Sequence, residues 1–213
     1  MDNAVLEDLQ INNLYIYQPI SGYRFTSDAV ELANFVKVRN GGCVVDLCSG
    51  CGVIGILVNA KNRVGHTYLV ELQPELAAMS RQSIEYNRLD NFTILNRPLQ
   101  GVAADLVNVK VATVVCNPPY FTTNIIKGVE TEAIARYEIK VTMSEIIAEA
   151  GRLLGDGGRF YCCYPISRIV DVFACMRASG LEPKEIKILG DKPDSIVLIK
   201  SVKGGKVGLV LSH

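Results

Sequence analysis

Short apolar segments alternate with longer amphipathic segments through most of the chain. The apolar segments are rich in β-branched residues and bounded by turn residues, and they predict strands at 43–48, 66–71, 92–96, 111–116 and 159–164. Helices are predicted at 28–38, from the glycine turn 50–55 to residue 61, and at 74–88, 144–154 and 166–179. Alternating strands and helices indicate βαβ units. We therefore predict an α/β fold with a largely parallel sheet covered by helices on both faces.

The two ends of the chain depart from this alternation. Residues 11–25 are aromatic and irregular, and the spacing of Asp28 and Glu31 predicts a capping-box-like start for the helix that follows. Residues 184–211 predict two or three consecutive strands, which favours an antiparallel edge at the C-terminal side of the sheet. No repeat or linker divides the sequence, so we expect one domain over 1–213, with 1–40 as an N-terminal cap segment and helix.

Composition narrows the class of protein. Hydrophobic residues make up 49% of the 213 residues, which excludes a disordered chain. Lysine and arginine (22) balance aspartate and glutamate (22), so binding of nucleic acid through bulk charge is excluded and any such role needs a local patch. Seven cysteines without a secretory signal indicate reduced thiols and a cytoplasmic protein, with no membrane span expected. With two histidines and no paired Cys-x-x-Cys units, we expect no metal site.

A glycine-rich loop follows the first of these strands. Asp46 ends the strand, Gly50, Gly52 and Gly55 form G-x-G-x-x-G, and Glu71 ends the next strand. This arrangement fits a dinucleotide fingerprint, with Glu71 placed for ribose hydroxyls. A pyrophosphate disfavours a nearby carboxylate, whereas the ammonium and sulfonium of S-adenosylmethionine suit one. The methyl donor is therefore the favoured ligand and a dinucleotide is the competing one.

Two other interpretations of this loop stay open. Cys48 and Cys51 form Cys-x-x-Cys beside a helix N-terminus, where a thiolate is stabilised, so a redox role fits the cysteines. That role leaves the glycines unexplained. The loop could also be a tight turn with no ligand.

The sequence Asn117-Pro118-Pro119-Tyr120 is the most specific motif in the chain. Two successive prolines end the strand and fix the loop. An exocyclic amine on a planar base is a poor nucleophile, because its lone pair is delocalised into the ring. The Asn117 side-chain oxygen and the Pro118 carbonyl could accept hydrogen bonds from its two N–H groups and turn the lone pair toward the methyl group. Tyr120 offers a flat face for a base turned out of its stack. The motif predicts methylation of such an amine, and a rigid structural turn is the alternative.

With both motifs in place, the chain resembles the class I S-adenosylmethionine-dependent methyltransferases with an Asn-Pro-Pro-Tyr loop. Three further segments resemble the tRNA1(Val) adenine-N6 methyltransferase family: 22–33, 135–138 and 203–206. The resemblance implies a Rossmann-like fold with a mostly parallel seven-stranded sheet. It also implies S-adenosylmethionine as cofactor, and methylation of N6 of the adenine 3′ of the anticodon in a valine tRNA.

The resemblance assigns roles residue by residue. Cofactor binding is implied for Arg24, Phe25, Thr26, Asp28, Asp46, Cys48, Gly50, Gly52, Glu71, Leu72, Asn96 and Asn117. A catalytic role is implied for Asn117, Pro118, Pro119 and Tyr120, and substrate binding is expected of Tyr120, Phe121, Lys127 and Arg136. The sequence departs from the pattern of related enzymes at Pro98, where those enzymes often have an aspartate that contacts the cofactor adenine. Asn96, Leu99 or main-chain groups would then bind that ring. A tRNA partner and a monomer or weak dimer are expected.

Other functions compete with this one. Methylation of a protein glutamine uses the same chemistry, but those enzymes carry an N-terminal helical domain and only about 40 residues precede the first of the alternating strands. For a DNA adenine methyltransferase, no inserted base-recognition domain is visible. A nicotinamide-dependent oxidoreductase would leave 117–120 without a role. A cofactor-binding subunit without activity stays an alternative.

Overall fold

The computed structural model describes residues 4–22, 24–118 and 141–212. Strands and helices alternate in this part of the chain. The strands are β1 (Ala4–Asp8), β2 (Tyr15–Pro19), β3 (Cys43–Leu47), β4 (His66–Glu71), β5 (Phe92–Asn96), β6 (Val111–Cys116), β7 (Leu154–Pro165), β8 (Leu181–Leu189), β9 (Ile196–Lys203) and β10 (Val210–Ser212). The helices are α1 (Ser27–Phe35), α2 (Val53–Lys61), α3 (Pro74–Tyr86), α4 (Val102–Asp105), α5 (Met143–Leu153) and α6 (Ile169–Ala178), with a 3₁₀ turn at Ile166–Arg168.

In the part of the chain that the structure describes, the main sheet has eight strands in the order β10-β8-β9-β7-β6-β3-β4-β5. Strands β5, β4, β3, β6 and β7 are parallel, while β9 runs antiparallel to both β7 and β8. The mostly parallel α/β sheet and its antiparallel C-terminal edge are thus confirmed. The sheet has one strand more than the expected seven, because β10 pairs in parallel with β8 at the edge.

Helices bury both faces of this sheet. One core cluster lies against α5 and α6 and includes Val114, Phe160 and Ile147. The other lies against α1 and α2 and includes Val115 and Tyr161, the residues next in sequence. Alternation along a strand explains why sequence neighbours enter opposite clusters. Among the described residues, every helix is too short or too polar to cross a membrane.

An N-terminal hairpin precedes α1, and its second strand, β2, lies within residues 11–25, which the sequence predicts to be irregular. β1 and β2 pair antiparallel, and the outer edge of β2 is held by side chains of α3 and of the residue that follows it. The main-chain N–H groups of Tyr15 and Tyr17 donate to Asn87 Oδ1 and Ser83 Oγ, each at 2.9 Å. These partners lie some 70 residues away in sequence, so local pattern carries no signal of the second strand.

The predicted capping box at the start of α1 is wrong. Thr26 is the N-cap of α1 and its side chain makes no capping hydrogen bond. The reciprocal arrangement occurs instead at α5, where Glu145 N–H donates to Thr142 Oγ1 (3.3 Å) and Thr142 N–H donates to Glu145 Oε2 (2.8 Å). The Thr-x-x-Glu sequence at 142–145 carries this signal, whereas Asp28 lies inside the first turn of α1.

Candidate functional site

The two sequence motifs meet at the point where the strand order reverses. β3 and β6 are adjacent and parallel, and Leu47 pairs with Cys116, so the loops that leave them start side by side. Such a switch point is where open α/β sheets bind ligands. A narrow cavity of about 20 Å³ lies between these loops. It is lined by Phe25, Ala29, Cys48, Ser49, Gly50, Cys51, Val53, Ile54 and Asn117.

This cavity has room for about one water molecule, which is too small for a nucleoside-sized ligand. The carboxyl ends of β3, β4, β5 and β6 lie side by side at one edge of the sheet. Within the described ranges, no cluster of three or more His, Cys, Asp or Glu side chains is placed to hold a metal ion.

Backbone conformation or close packing explains the glycine at each of three positions of the loop. Gly50 (φ 57°) and Gly52 (φ 85°) adopt the left-handed conformation that favours glycine. Gly55 lies in the first turn of α2 and packs against β4, where an added Cβ would collide with Leu69 Cδ2. Ser80, which belongs to neither sequence motif, donates from Oγ to the Gly50 carbonyl at 3.0 Å. The loop is therefore fixed by its own backbone and by α3.

Asp46 lies beneath this loop with no solvent exposure. Its Oδ2 accepts a hydrogen bond from Gly55 N–H at 2.9 Å, while Oδ1 has no partner among the described residues. Burial raises the pKa of Asp46 to about 8, with the charge of Glu71 adding to the rise and the Gly55 hydrogen bond opposing it. A buried carboxyl oxygen without a donor, beside a glycine loop, is suited to the ammonium group of S-adenosylmethionine.

Glu71 borders the same loop from β4 and is 5% exposed. Oε2 accepts from Gly50 N–H at 2.7 Å, and Oε1 accepts from Gln73 N–H at 2.8 Å. Burial raises the pKa of Glu71, and these main-chain hydrogen bonds counteract part of the rise. Leu72 N–H also donates to this carboxylate. A carboxylate has about four acceptor positions, so these three main-chain hydrogen bonds leave room for one from a ribose hydroxyl.

Pro98 lies close in sequence to two side chains that already have a role in the fold, Asn96 and Leu99. Asn96 Nδ2 donates to the carbonyls of Glu71 (2.8 Å) and Leu72 (3.1 Å), so this amide holds the main chain of β4. The side chain of Leu72 stays 37% exposed and offers an apolar surface to a ring. Leu99 is 5% exposed and belongs to the core, so of the two leucines only Leu72 is exposed.

The segment before α1 lies over the cavity only in part. Phe25 lines the cavity, and its N–H donates to Gln18 Oε1 at 3.3 Å. Arg24 instead forms an ion pair with Glu7 of the hairpin. Thr26 Oγ1 donates to Asp28 Oδ2 at 3.4 Å, so these two side chains are paired with each other. Gln18, 2% exposed, is a residue that the sequence did not single out.

Asn117 follows β6 and is half-buried at the cavity wall. Its Oδ1 accepts a hydrogen bond from the thiol of Cys163 at 2.9 Å. Pro118 is buried behind it. The other predicted residues of the motif and of the substrate site lie outside the described residues: Pro119, Tyr120, Phe121, Lys127 and Arg136.

The fold and the paired loops define a Rossmann-like methyltransferase, and comparison with known proteins agrees. Residues 27–165 match the family model of the methyltransferase small domain. The chain therefore belongs to this methyltransferase family.

Curated relatives carry two kinds of name. The tRNA1(Val) (adenine(37)-N6)-methyltransferase of Dickeya chrysanthemi is 25% identical over 84% of this chain and 73% of its own length. The protein of the same name from a Shewanella species is 23% identical over 89% and 76%. The release factor glutamine methyltransferase of Mycoplasma mycoides is 32% identical, but over only 44% of this chain and 33% of its own length.

Solved structures share the fold. The M. jannaschii protein TYW2 in complex with AdoMet superposes with a TM-score of 0.62 at 12% identity, covering 95% of this chain and 86% of its own. The M. jannaschii tRNA m1G37 methyltransferase gives a TM-score of 0.61 at 16% identity, covering 96% and 58%. The prediction of an S-adenosylmethionine-dependent methyltransferase is confirmed by the family match, and the oxidoreductase alternative is set aside.

Proposed function

We propose that this enzyme methylates N6 of an adenine in tRNA, with the base 3′ of the anticodon of a valine tRNA as its target. The observation that carries the proposal is the placement of Asn117 at the wall of the cavity beside Gly50. The names of the two relatives that align over most of the chain support the choice of tRNA. We expect the reaction to occur in the cytoplasm.

The proposed role of the Asn117 loop is to hold a planar amine. Asn117 Oδ1 and the Pro118 carbonyl accept hydrogen bonds from the two N–H groups of the amine. They thereby stabilise the positive charge that develops on its nitrogen. An amide oxygen has two lone pairs, so Asn117 can accept from the amine while it accepts from Cys163. The bound cofactor supplies a methyl group activated by the sulfonium. Orientation of the amine relative to that group supplies most of the remaining rate acceleration.

The proposed cofactor contacts follow the edge of the sheet. Asp46 takes the ammonium end through its unpartnered Oδ1, and Glu71 takes the ribose hydroxyls. Leu72 contacts the adenine, and Phe25 covers the methionine end from the segment before α1. Cys48, Gly50 and Gly52 shape the floor between them.

Methylation of a protein glutamine is the second candidate. A carboxamide is also a planar, delocalised amine, and the Mycoplasma mycoides relative carries that name. That alignment covers 44% of the chain, against 84% for the first tRNA methyltransferase. The longer alignments favour tRNA.

Transfer of a tritiated methyl group distinguishes these substrates. The purified enzyme is incubated with labelled cofactor and either total tRNA or a glutamine-containing release factor. We expect label in tRNA, with N6-methyladenosine as the sole labelled nucleoside, and none with Asn117→Ala. Label confined to the release factor would replace the tRNA proposal with the glutamine one.

A further inference from the structure

We propose that Cys163 is a positioning residue for the reaction, which orients the side-chain oxygen of Asn117. The inference rests on the proposed role of Asn117 and adds a second residue to it. Cys163 lies in β7, on the side of β6 opposite the glycine loop, and it is not part of either sequence motif.

The geometry places this thiol directly behind the Asn117 amide. In the pairing of β6 with β7, Cys116 lies opposite Cys162. The next residues, Asn117 just after β6 and Cys163 in β7, therefore lie beside each other. The distance from Cys163 Sγ to Asn117 Oδ1 is 2.9 Å, and Cys163 has no solvent exposure. The contact is therefore built into the sheet register and does not depend on a surface loop.

A thiol at this position selects one orientation of the amide. The two ends of an asparagine side chain have almost the same shape, but only the oxygen can accept from S–H. Rotation of the amide by half a turn would set its NH₂ group against the thiol and lose that hydrogen bond. Cys163 therefore keeps the acceptor end of Asn117 fixed while the second lone pair stays available for the substrate amine.

The thiol stays protonated, as this role requires. Burial raises the pKa of Cys163 well above its ordinary value, and the charge of nearby Asp28 adds to the rise. The side chain packs in the core cluster that contains Val115, Tyr161 and Leu198. A thiol suits such apolar surroundings better than a hydroxyl, and still donates weakly.

The test compares Cys163→Ala with Cys163→Ser, measuring kcat and KM for the methyl acceptor, the Kd for S-adenosylmethionine, and the melting temperature. Loss of one hydrogen bond predicts that Cys163→Ala lowers kcat about 3- to 10-fold. The Kd for S-adenosylmethionine should stay within about two-fold, and the KM for the methyl acceptor should change less than kcat, since the amide stabilises charge that develops in the transition state. Cys163→Ser keeps a donor and should retain kcat within about two-fold, although a buried hydroxyl lowers its melting temperature.

If Cys163 had only a structural role, the less stable serine variant would also have the lower kcat of the two variants. Equal kcat for wild type and Cys163→Ala would overturn the proposal. Cys162→Ala is the matched control, because Cys162 is equally buried on the same strand but faces the other core cluster. We expect it to change the melting temperature and leave kcat unchanged.

A readout that needs no substrate separates this inference from the proposed function. The side-chain amide of Asn117 gives a pair of ¹⁵N-correlated proton resonances, which should shift and exchange faster in Cys163→Ala but not in Cys163→Ser. Unchanged resonances in the alanine variant would overturn the positioning role. If wild type methylates neither tRNA nor the release factor while these shifts occur, the proposed function fails and the contact stands.

Discussion

The main-chain N–H of Gly50 donates to Glu71 Oε2 at 2.7 Å, which joins the loop after β3 to the end of β4. The carbonyl of the same glycine accepts from Ser80 Oγ at 3.0 Å. Gly50 is therefore held from two elements, β4 and α3. One carboxylate serves both to shape the loop and, in our proposal, to bind the ribose.

Glu71→Gln should weaken cofactor binding. The amide can still accept from one main-chain N–H, but its NH₂ group opposes the other, and the charge-assisted hydrogen bonds are lost. We expect the Kd for S-adenosylmethionine, measured by titration calorimetry, to rise about 10-fold or more. Glu75→Gln, an exposed carboxylate in the first turn of α3, is the control and should leave the Kd unchanged. An unaltered Kd in Glu71→Gln would remove Glu71 from the cofactor site.

Asn117→Ala should separate catalysis from cofactor binding. Removal of a preorganised group that stabilises transition-state charge costs about 10²- to 10³-fold in kcat. Because the residue contributes only part of the cavity wall, the Kd for the cofactor should stay within a few-fold. Single-turnover methyl transfer and calorimetry give the two quantities. A parallel loss of both would assign Asn117 a structural role instead.

The stability of the ligand-free protein should fall as pH rises from about 4 to about 8. The pKa of Asp46 is raised from 3.8 to about 8, so between these values the folded state binds more protons than the unfolded state. Under that condition the free energy of unfolding decreases with increasing pH. The raised pKa of Glu71 acts in the same direction. Denaturant titrations across this range measure the slope.

Asp46→Asn provides the control for this pH dependence. The neutral side chain has no charge to bury, so the slope between pH 4 and 8 should become shallower than in wild type. The same variant should bind S-adenosylmethionine more weakly, because it cannot pair with the ammonium. Identical slopes in the two proteins would show that Asp46 ionises freely in the folded state.

Gln18→Ala should loosen the segment that carries Phe25. Gln18 accepts from Phe25 N–H and donates to Glu7, which in turn pairs with Arg24. Without this buried amide we expect faster hydrogen exchange at Phe25 and a Kd for the cofactor raised about 3- to 10-fold. Gln100→Ala, an exposed glutamine, is the comparison and should alter neither quantity. Unchanged protection of Phe25 would show that the hairpin does not hold the segment.

Local signals predicted the central sheet well. β4, β5 and β6 begin and end at the predicted residues, since each is a short, largely apolar run between turn residues. β7 is longer than predicted because it continues through Gly155, Gly157 and Gly158, with irregular pairing to β6. Contacts across some 70 residues stabilise β2, and no local pattern reports them.

The candidate site was predictable where chemistry dictates residue type. The glycines, Asp46, Glu71 and Asn117 follow from the reaction and the switch point, and the family match confirms a methyltransferase. Ser80, Gln18 and Cys163 each form a hydrogen bond with a residue of the candidate site. Their residue types are common in any core or surface, so only their positions in the fold reveal them.

The loops for the methyl donor and for the proposed acceptor leave adjacent strands, β3 and β6. Neighbouring strands are spaced about 4.8 Å apart, so backbone pairing sets the gap between the points where the two loops begin. Peripheral segments can diverge to admit a nucleobase in one enzyme and a carboxamide in another without altering that gap. In this architecture the reaction centre and the recognition of the substrate can therefore evolve separately.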